Sequence, residues 1–246
     1  MTYHPYHIIG PDRPSRMLIT CDHAANTVPD SVNNGDLGLA AADMARHIAY
    51  DVGAAGVTYA LAELLDAPAI LSNFSRLVID PNRGEDDPTL LMKLYDGTII
   101  PGNRHADMAE RERRLNTCYR PYHSAHAKMA ARQDNTVLVS IHSYTPQLNG
   151  YPIRPWHIGI LHGKDARFSI PLLARLNQEP DLCVGENEPY GGHLDGDSVD
   201  RHAIAFGRPN TLIEIRNDLI KTESQQVAWA KRLAPILTEV LEASGL

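Results

Sequence analysis

VLVSIHSY, residues 137–144, begins with the apolar run Val137, Leu138 and Val139 and continues through Ser140, Ile141, His142, Ser143 and Tyr144. A short apolar run of this kind reads as a buried strand over Val137–Ile141, with a histidine at its very end. In open α/β sheets, ligands and catalytic groups gather outside the carboxyl ends of the strands. Two other stretches have the same form: Met17 to Thr20 opens into Cys21, Asp22 and His23, and Thr211 to Ile213 leads into Glu214, Ile215 and Arg216. Three strand ends are therefore expected to converge on His23, His142 and Glu214, a trio suited to holding a metal ion and activating water.

Outward from these strands, Asp22 to Asp30 reads as a loop or helix start. Ala40 to Leu65 reads as two helices, or one with a bent continuation, because Gly53 and Gly56 interrupt the helical spacing of Met44, Ile48, Val52, Leu61 and Leu64. Short strands are expected at Met17–Cys21, Ala69–Leu71, Leu77–Ile79 and Ile158–Leu161, with a turn from Asp80 to Gly84. Asp86 to Asn103 reads as an irregular excursion covering one side of the site. Ala106 to Gln133 is helical, broken by Pro121, with His123 and His126 three apart on one face of the second piece. Further helices are expected over Ile170–Gln178 and Val227–Leu241. Strands alternating with helices predict an α/β fold with a mostly parallel sheet covered on both faces. At 246 residues and 43% hydrophobic, residues 1–246 read as one domain.

The formal charge of −7 argues against nucleic-acid binding, which depends on clustered Lys and Arg. Arg111, Arg113 and Arg114 are interleaved with Glu110 and Glu112, the pattern of a solvated helix face. Cys21, Cys118 and Cys183 are too few and too scattered for a disulfide framework or a zinc ribbon, which points to a reducing compartment. Residues 1–10 carry no basic and apolar signal pattern, and no segment reaches the roughly 18 apolar residues of a membrane span. The expectation is a soluble, cytoplasmic protein that binds neither membrane nor nucleic acid. Its oligomeric state is left open.

Neutral imidazole is a good ligand for divalent metals, and catalytic zinc commonly takes three protein ligands plus water. His23 and His142 supply two, and Asp22 or Asn26 a third from the same loop, although Asn26 equally suits a turn or helix cap. Glu214, set between Ile213 and Ile215, is a carboxylate that burial makes costly unless it is paired or functional. It either pairs with an arginine such as Arg216 or takes a proton from the attacking water and passes it to the leaving nitrogen. Arg76 and Arg83 suggest an acidic substrate, or one of them stabilises an oxyanion. Their alternative partners are Asp80, Glu85, Asp86 and Asp87. His4, His7, His105 and His157 read as surface or structural histidines.

With these residues in hand, the chain resembles the N-formylglutamate amidohydrolase family and, more distantly, the zinc carboxypeptidases. The resemblance rests on CDHAANTVPD (21–30), HIAYDVGA (47–54), SRLVIDPNR (75–83), YRPYHSAH (119–126), SIHSYTP (140–146), GENEPY (185–190) and IEIRNDLI (213–220). It implies a three-layer α/β/α sandwich with a mixed, mostly parallel sheet, phosphorylase/hydrolase-like as in zinc carboxypeptidases. By the same resemblance His142 is the second histidine ligand, Asn82 and Arg83 hold a substrate carboxylate, and Glu214, two residues before Arg216, is the catalytic glutamate. The carboxypeptidase pattern places a glutamate three residues after the first histidine. Here Asn26 stands there, which leaves the third ligand open between Asp22 and Asn26.

The leading expectation is a Zn²⁺-dependent amidohydrolase of a small N-formyl or N-acyl amino acid, N-formyl-L-glutamate foremost. In it Arg76 or Arg216 stabilises the oxyanion, and His123, His126 and His202 shape the pocket or donate a proton. Its rivals are a metallocarboxypeptidase or deacylase of longer substrates, which needs an open groove, and a non-catalytic binding protein of the same fold.

Overall fold

The structure, a computed structural model, describes residues 3–148, 150–192 and 194–246. In chain order the strands are β1 (Tyr6–Ile9), β2 (Met17–Cys21), β3 (Ala69–Ser72), β4 (Leu94–Tyr95), β5 (Thr98–Ile99), β6 (Val137–Tyr144), β7 (Ile158–Leu161), β8 (Val184–Glu186) and β9 (Asn210–Arg216). The α-helices are α1 (Ala41–Met44), α2 (Ala54–Leu64), α3 (Pro101–Arg104), α4 (Met108–Arg114), α5 (Arg120–Ala130), α6 (Ser169–Leu176), α7 (Ser198–His202) and α8 (Glu223–Ala243).

Seven strands form one sheet in the order β1-β3-β2-β6-β9-β7-β8, and β4 and β5 form a separate hairpin. Pairing is parallel from β3 through β2 and β6 to β9 and again between β7 and β8, and antiparallel at β1–β3 and β7–β9. The sheet is therefore mixed and mostly parallel, with helices on both faces. On one face Ile19, Val139, Ile141, Ile213 and Ile215 pack with Val57 and Leu61 of α2, Leu172 of α6 and Leu233 and Leu237 of α8. Leu18 and Ile70 point the other way, into a core built with Tyr119 and with Tyr122 and Met129 of α5. Because side chains alternate along a strand, Ile141 and Ile213 in the first core put His142 and Glu214 on the opposite face.

Local chemistry sets the helix ends. Thr222 and Gln225 form a reciprocal capping box that starts α8, and Asp107 accepts the amide of Glu110 to start α4. Pro121 falls in the first turn of α5, which follows without a break on a wide π-helical turn, Leu115–Tyr119, that joins it to α4.

Several expectations shift. Leu77–Ile79 is a turn, not a strand: the Ser75 hydroxyl accepts the amide of Leu77, the Ser75 carbonyl accepts that of Val78, and the three apolar side chains fill the core beneath α5. β6 runs on to Tyr144, so His142 and Ser143 lie within the strand rather than beyond it. Ala40–Leu65 resolves into two helices, α1 and α2. No helix among the described residues is long and apolar enough to cross a membrane.

Candidate metal centre and substrate cavity

Three loops meet above the carboxyl ends of β2 and β6, held together by backbone bonds. The Asp51 amide donates to the His23 carbonyl (2.9 Å), Arg76 to Ala49 (3.2 Å) and Ser75 to Thr27 (2.8 Å). β6 and β9 supply the other side, in a register that sets His142 directly beside Glu214.

At this junction His23, Asp51 and His142, all buried, each offer a donor atom, and the three atoms lie within 4.8 Å of one another. Asp51 Oδ2 stands 2.8 Å from His142 Nδ1 and 3.4 Å from His23 Nδ1, and it also accepts the Ser143 amide. The far nitrogens of both rings face carboxylates: His23 Nε2 lies 2.7 Å from Asp80 Oδ1, and His142 Nε2 lies 3.4 Å from Asp22 Oδ2. Asp80, hydrogen-bonded behind His23, sets the tautomer of that ring and raises its basicity, and Asp22 places a negative charge behind His142. Two imidazoles and a carboxylate in this setting fit a divalent metal ion.

The charges agree with that arrangement. Burial opposes ionisation of Asp51, yet His23, His142 and His47 hold its carboxyl well below the usual range. Asp80 is lowered in the same manner by Arg76 and His23. Burial works against a charged His142, but Asp22 and Asp51 outweigh it and hold the imidazole well above the ordinary histidine range. An incoming ion therefore has to displace the His142 proton. Metal affinity is expected to rise with pH by up to about tenfold per unit, continuing above neutrality until His142 deprotonates. Chelator competition at several pH values measures this, and a flat profile between pH 6 and about 8 would contradict it.

Glu214 shares the cavity with these groups. Burial foremost, with help from the Asp51 charge, pushes its carboxyl up to about 8 against the pull of His142, Arg76 and Arg154, and its Oε2 has no hydrogen-bond partner among the described residues. The cavity is about 460 Å³ and is lined by the metal-ligand group, Glu214, His47, Arg76, Asn82, Arg83, Tyr95 and the 189–192 segment. Gly159, opposite Glu214 in the β7–β9 register, admits that segment: a Cβ there would sit 1.9 Å from the Glu188 carbonyl oxygen. The Asp86–Asn103 excursion does cover the site, through Tyr95 on the β4–β5 hairpin.

The residues singled out from sequence separate into three groups. His23, His142, Glu214, Arg76, Asn82 and Arg83 are brought together around the cavity. Arg76 is engaged there by two bonds to Asp80 Oδ2, at 3.2 and 3.0 Å, and lies 3.4 Å from Asp51, as the ion-pair alternative had it. Asp22 lies behind His142, where its other oxygen accepts the hydroxyls of Tyr122 and Ser198.

Asn26, Arg216 and the three remaining histidines lie elsewhere. Asn26 is exposed and donates to the Met44 carbonyl, so the loop turns it away from the ligand group. Arg216 bonds Asp218 and the Arg154 carbonyl and does not line the cavity. His123, His126 and His202 form a separate buried cluster instead of lining the pocket. Sequence reading missed Asp51, His47 and Asp80 as parts of the centre. Asp51 and His47 lie in HIAYDVGA, but 24 or more residues separate them from His23, where a ligand from the same loop was sought.

Comparison with known proteins agrees with this geometry. The profile of the family described as N-formylglutamate amidohydrolase matches residues 15–221. The N-formylglutamate deformylase of Pseudomonas putida is 26% identical over 256 residues, covering 92% of this chain and 91% of that protein. Among solved structures, a gene product of Agrobacterium tumefaciens superposes with a TM-score of 0.92 at 35% identity, over 98% of this chain and 96% of its own. The N-formylglutamate amidohydrolase of Ralstonia eutropha JMP134 shares the fold, with a TM-score of 0.70 at 22% identity over 98% and 97% of the two chains. With a match across most of its length and a histidine–carboxylate centre at the strand ends, the chain belongs to the N-formylglutamate amidohydrolase family and is an amide hydrolase.

Proposed function

We propose that this enzyme hydrolyses the formyl amide of N-formyl-L-glutamate, yielding formate and L-glutamate, with Zn²⁺ as its metal. The observation that carries the reading is the placement of Glu214, a carboxyl raised by burial, in the same cavity as His23, Asp51 and His142. When bound by those three residues, the ion supplies Lewis acidity, polarising the formyl carbonyl and acidifying the attacking water. Glu214 takes the proton as the water oxygen bonds to the formyl carbon, and delivers it to the amide nitrogen as the C–N bond breaks. Arg76, locked by Asp80 and Asp51, keeps a fixed positive charge at the cavity wall where the carbonyl oxygen gains negative charge.

Arg83 and Asn82 give the cavity its acid-binding end. Asn82 is held by the Ser198 amide (3.1 Å), and Arg83 is braced by the Asn82 carbonyl (2.7 Å) and Thr89 (3.1 Å). A charged hydrogen bond to a substrate carboxylate contributes about 1.5–3 kcal/mol. Arg83→Met is therefore expected to raise KM for N-formyl-L-glutamate by about 10- to 100-fold with a smaller change in kcat. An unchanged KM would remove Arg83 from substrate recognition.

Formate release from N-formyl-L-glutamate by the chelator-treated protein, with and without added Zn²⁺, tests the whole reading. Turnover restored by Zn²⁺ is the expected result. N-acetyl amino acids and γ-linked peptides, supplied in parallel, distinguish deformylation from the hydrolysis of longer substrates. No turnover of any of them by the metal-loaded enzyme would refute the proposal.

A further inference from the structure

Behind the catalytic centre, and outside its cavity, lies a second group of donors. His123 and His126 project from one face of α5, and His202 ends α7 against them. All three are buried, and each offers a ring nitrogen within 4.8 Å of the other two. His123 Nδ1 and His202 Nε2 are 2.8 Å apart, and the His126 ring lies tilted against that of His202, with their centroids 4.0 Å apart. Neither ring nitrogen of His126 has a hydrogen-bond partner among the described residues, although the side chain is wholly buried. Buried polar groups without partners are rare in native proteins and call for an explanation such as an ion.

We infer that His123, His126 and His202 form a second metal site, distinct from the catalytic one, that takes a late first-row divalent ion such as Zn²⁺. Three imidazole nitrogens suit zinc, cobalt, nickel or copper and disfavour magnesium or calcium, which prefer oxygen. The His123 tautomer is already set for ligation: Nε2 donates to the Pro81 carbonyl at 3.0 Å, which leaves the Nδ1 lone pair facing His202. Burial also keeps all three imidazoles below the ordinary histidine range, so they are neutral at physiological pH. Arg201 and Arg208 oppose a cation here, and the Asp22 carboxylate favours one.

The position gives the ion a bracing role. It would join α5 to α7 and, through His123 and Pro81, to the loop that carries Asp80, Asn82 and Arg83. Asp22 links the two centres, with one oxygen toward His142 and the other on Tyr122, the neighbour of His123, and on Ser198 at the start of α7.

The test is a metal count on the intact protein, stripped with chelator, reloaded with Zn²⁺ and analysed by elemental analysis and native mass spectrometry. About two equivalents are expected in the wild type and about one in His126→Ala. Because that variant removes a core side chain, a second arm keeps the ligand cluster whole. The Asp51→Asn/His142→Ala double variant is expected to retain about one equivalent and to melt at least about 3 °C higher when Zn²⁺ is added. Cobalt loaded into it should give the visible bands of a low-symmetry nitrogen site. A single equivalent in the wild type at saturating Zn²⁺, or no ion in the double variant, would overturn the inference. Neither result depends on which amide the enzyme hydrolyses.

Discussion

Glu214→Gln is expected to lower kcat for formate release by about 10²- to 10⁴-fold while leaving bound metal unchanged. Glutamine fills the same volume on β9 beside His142, so the strand register and the cavity wall persist. What is lost is the ability to accept and return a proton. A carboxyl pushed up to about 8 by burial is well matched to that task, because a base near the working pH combines availability with driving force. The competing explanation is a structural carboxylate held by an arginine. The arrangement speaks against it, since Arg216 is occupied by Asp218 and Glu214 Oε2 has no partner among the described residues. If Glu214→Gln changes the melting temperature but leaves kcat within about threefold, the structural explanation is correct.

Asp51→Asn is expected to be at least as damaging, by a different route. Among the described residues Asp51 is the one carboxylate that touches both His23 and His142, and it also lies 3.4 Å from Arg76 and 3.3 Å from His47. An amide is a weak zinc ligand and cannot neutralise the buried positive charge around it. The expected outcome is loss of the catalytic metal and, with its Lewis acidity worth several kcal/mol, a fall in kcat/KM of about 10³-fold or more. Asn26→Ala is the matched control. Its side chain is exposed and, among the described residues, bonds only the Met44 carbonyl, so metal content is expected to hold and activity to stay within about twofold. Metal analysis and formate release on both variants decide between them. Full activity in Asp51→Asn together with loss in Asn26→Ala would reverse the ligand assignment.

The strands that carry the site were legible because burial on both faces leaves an unbroken apolar run. β2 and β7 match their expected bounds, and the period of two in IEI and SIH forces Glu214 and His142 onto one side once the isoleucines take the other. The edge strands β1 and β8 were not legible. Each is short and partly solvated, and it is defined by its partner, Tyr6 to Ser72 in one case and Val184 to Ile158 in the other. Leu77–Ile79 misled for the opposite reason: its apolar content is that of a core, but the Ser75 side chain and carbonyl bend it into a turn.

Read alone, the sequence was enough for the α/β class, for the strand runs of β2, β6 and β9, and for the delivery of His23, His142 and Glu214 at or near their carboxyl ends. These follow from periodicity and strand polarity, which are local properties of the chain. The candidate third ligand, Asp51, emerges from tertiary contact alone. Asp51 comes 28 residues after His23 and reaches it because its amide bonds the His23 carbonyl across two loops. The same holds for His123, His126 and His202, where α5 and α7 must pack before three neutral imidazoles face one another. Hydrophobic burial against the sheet brings such segments together, and no spacing along the chain records where it will place them.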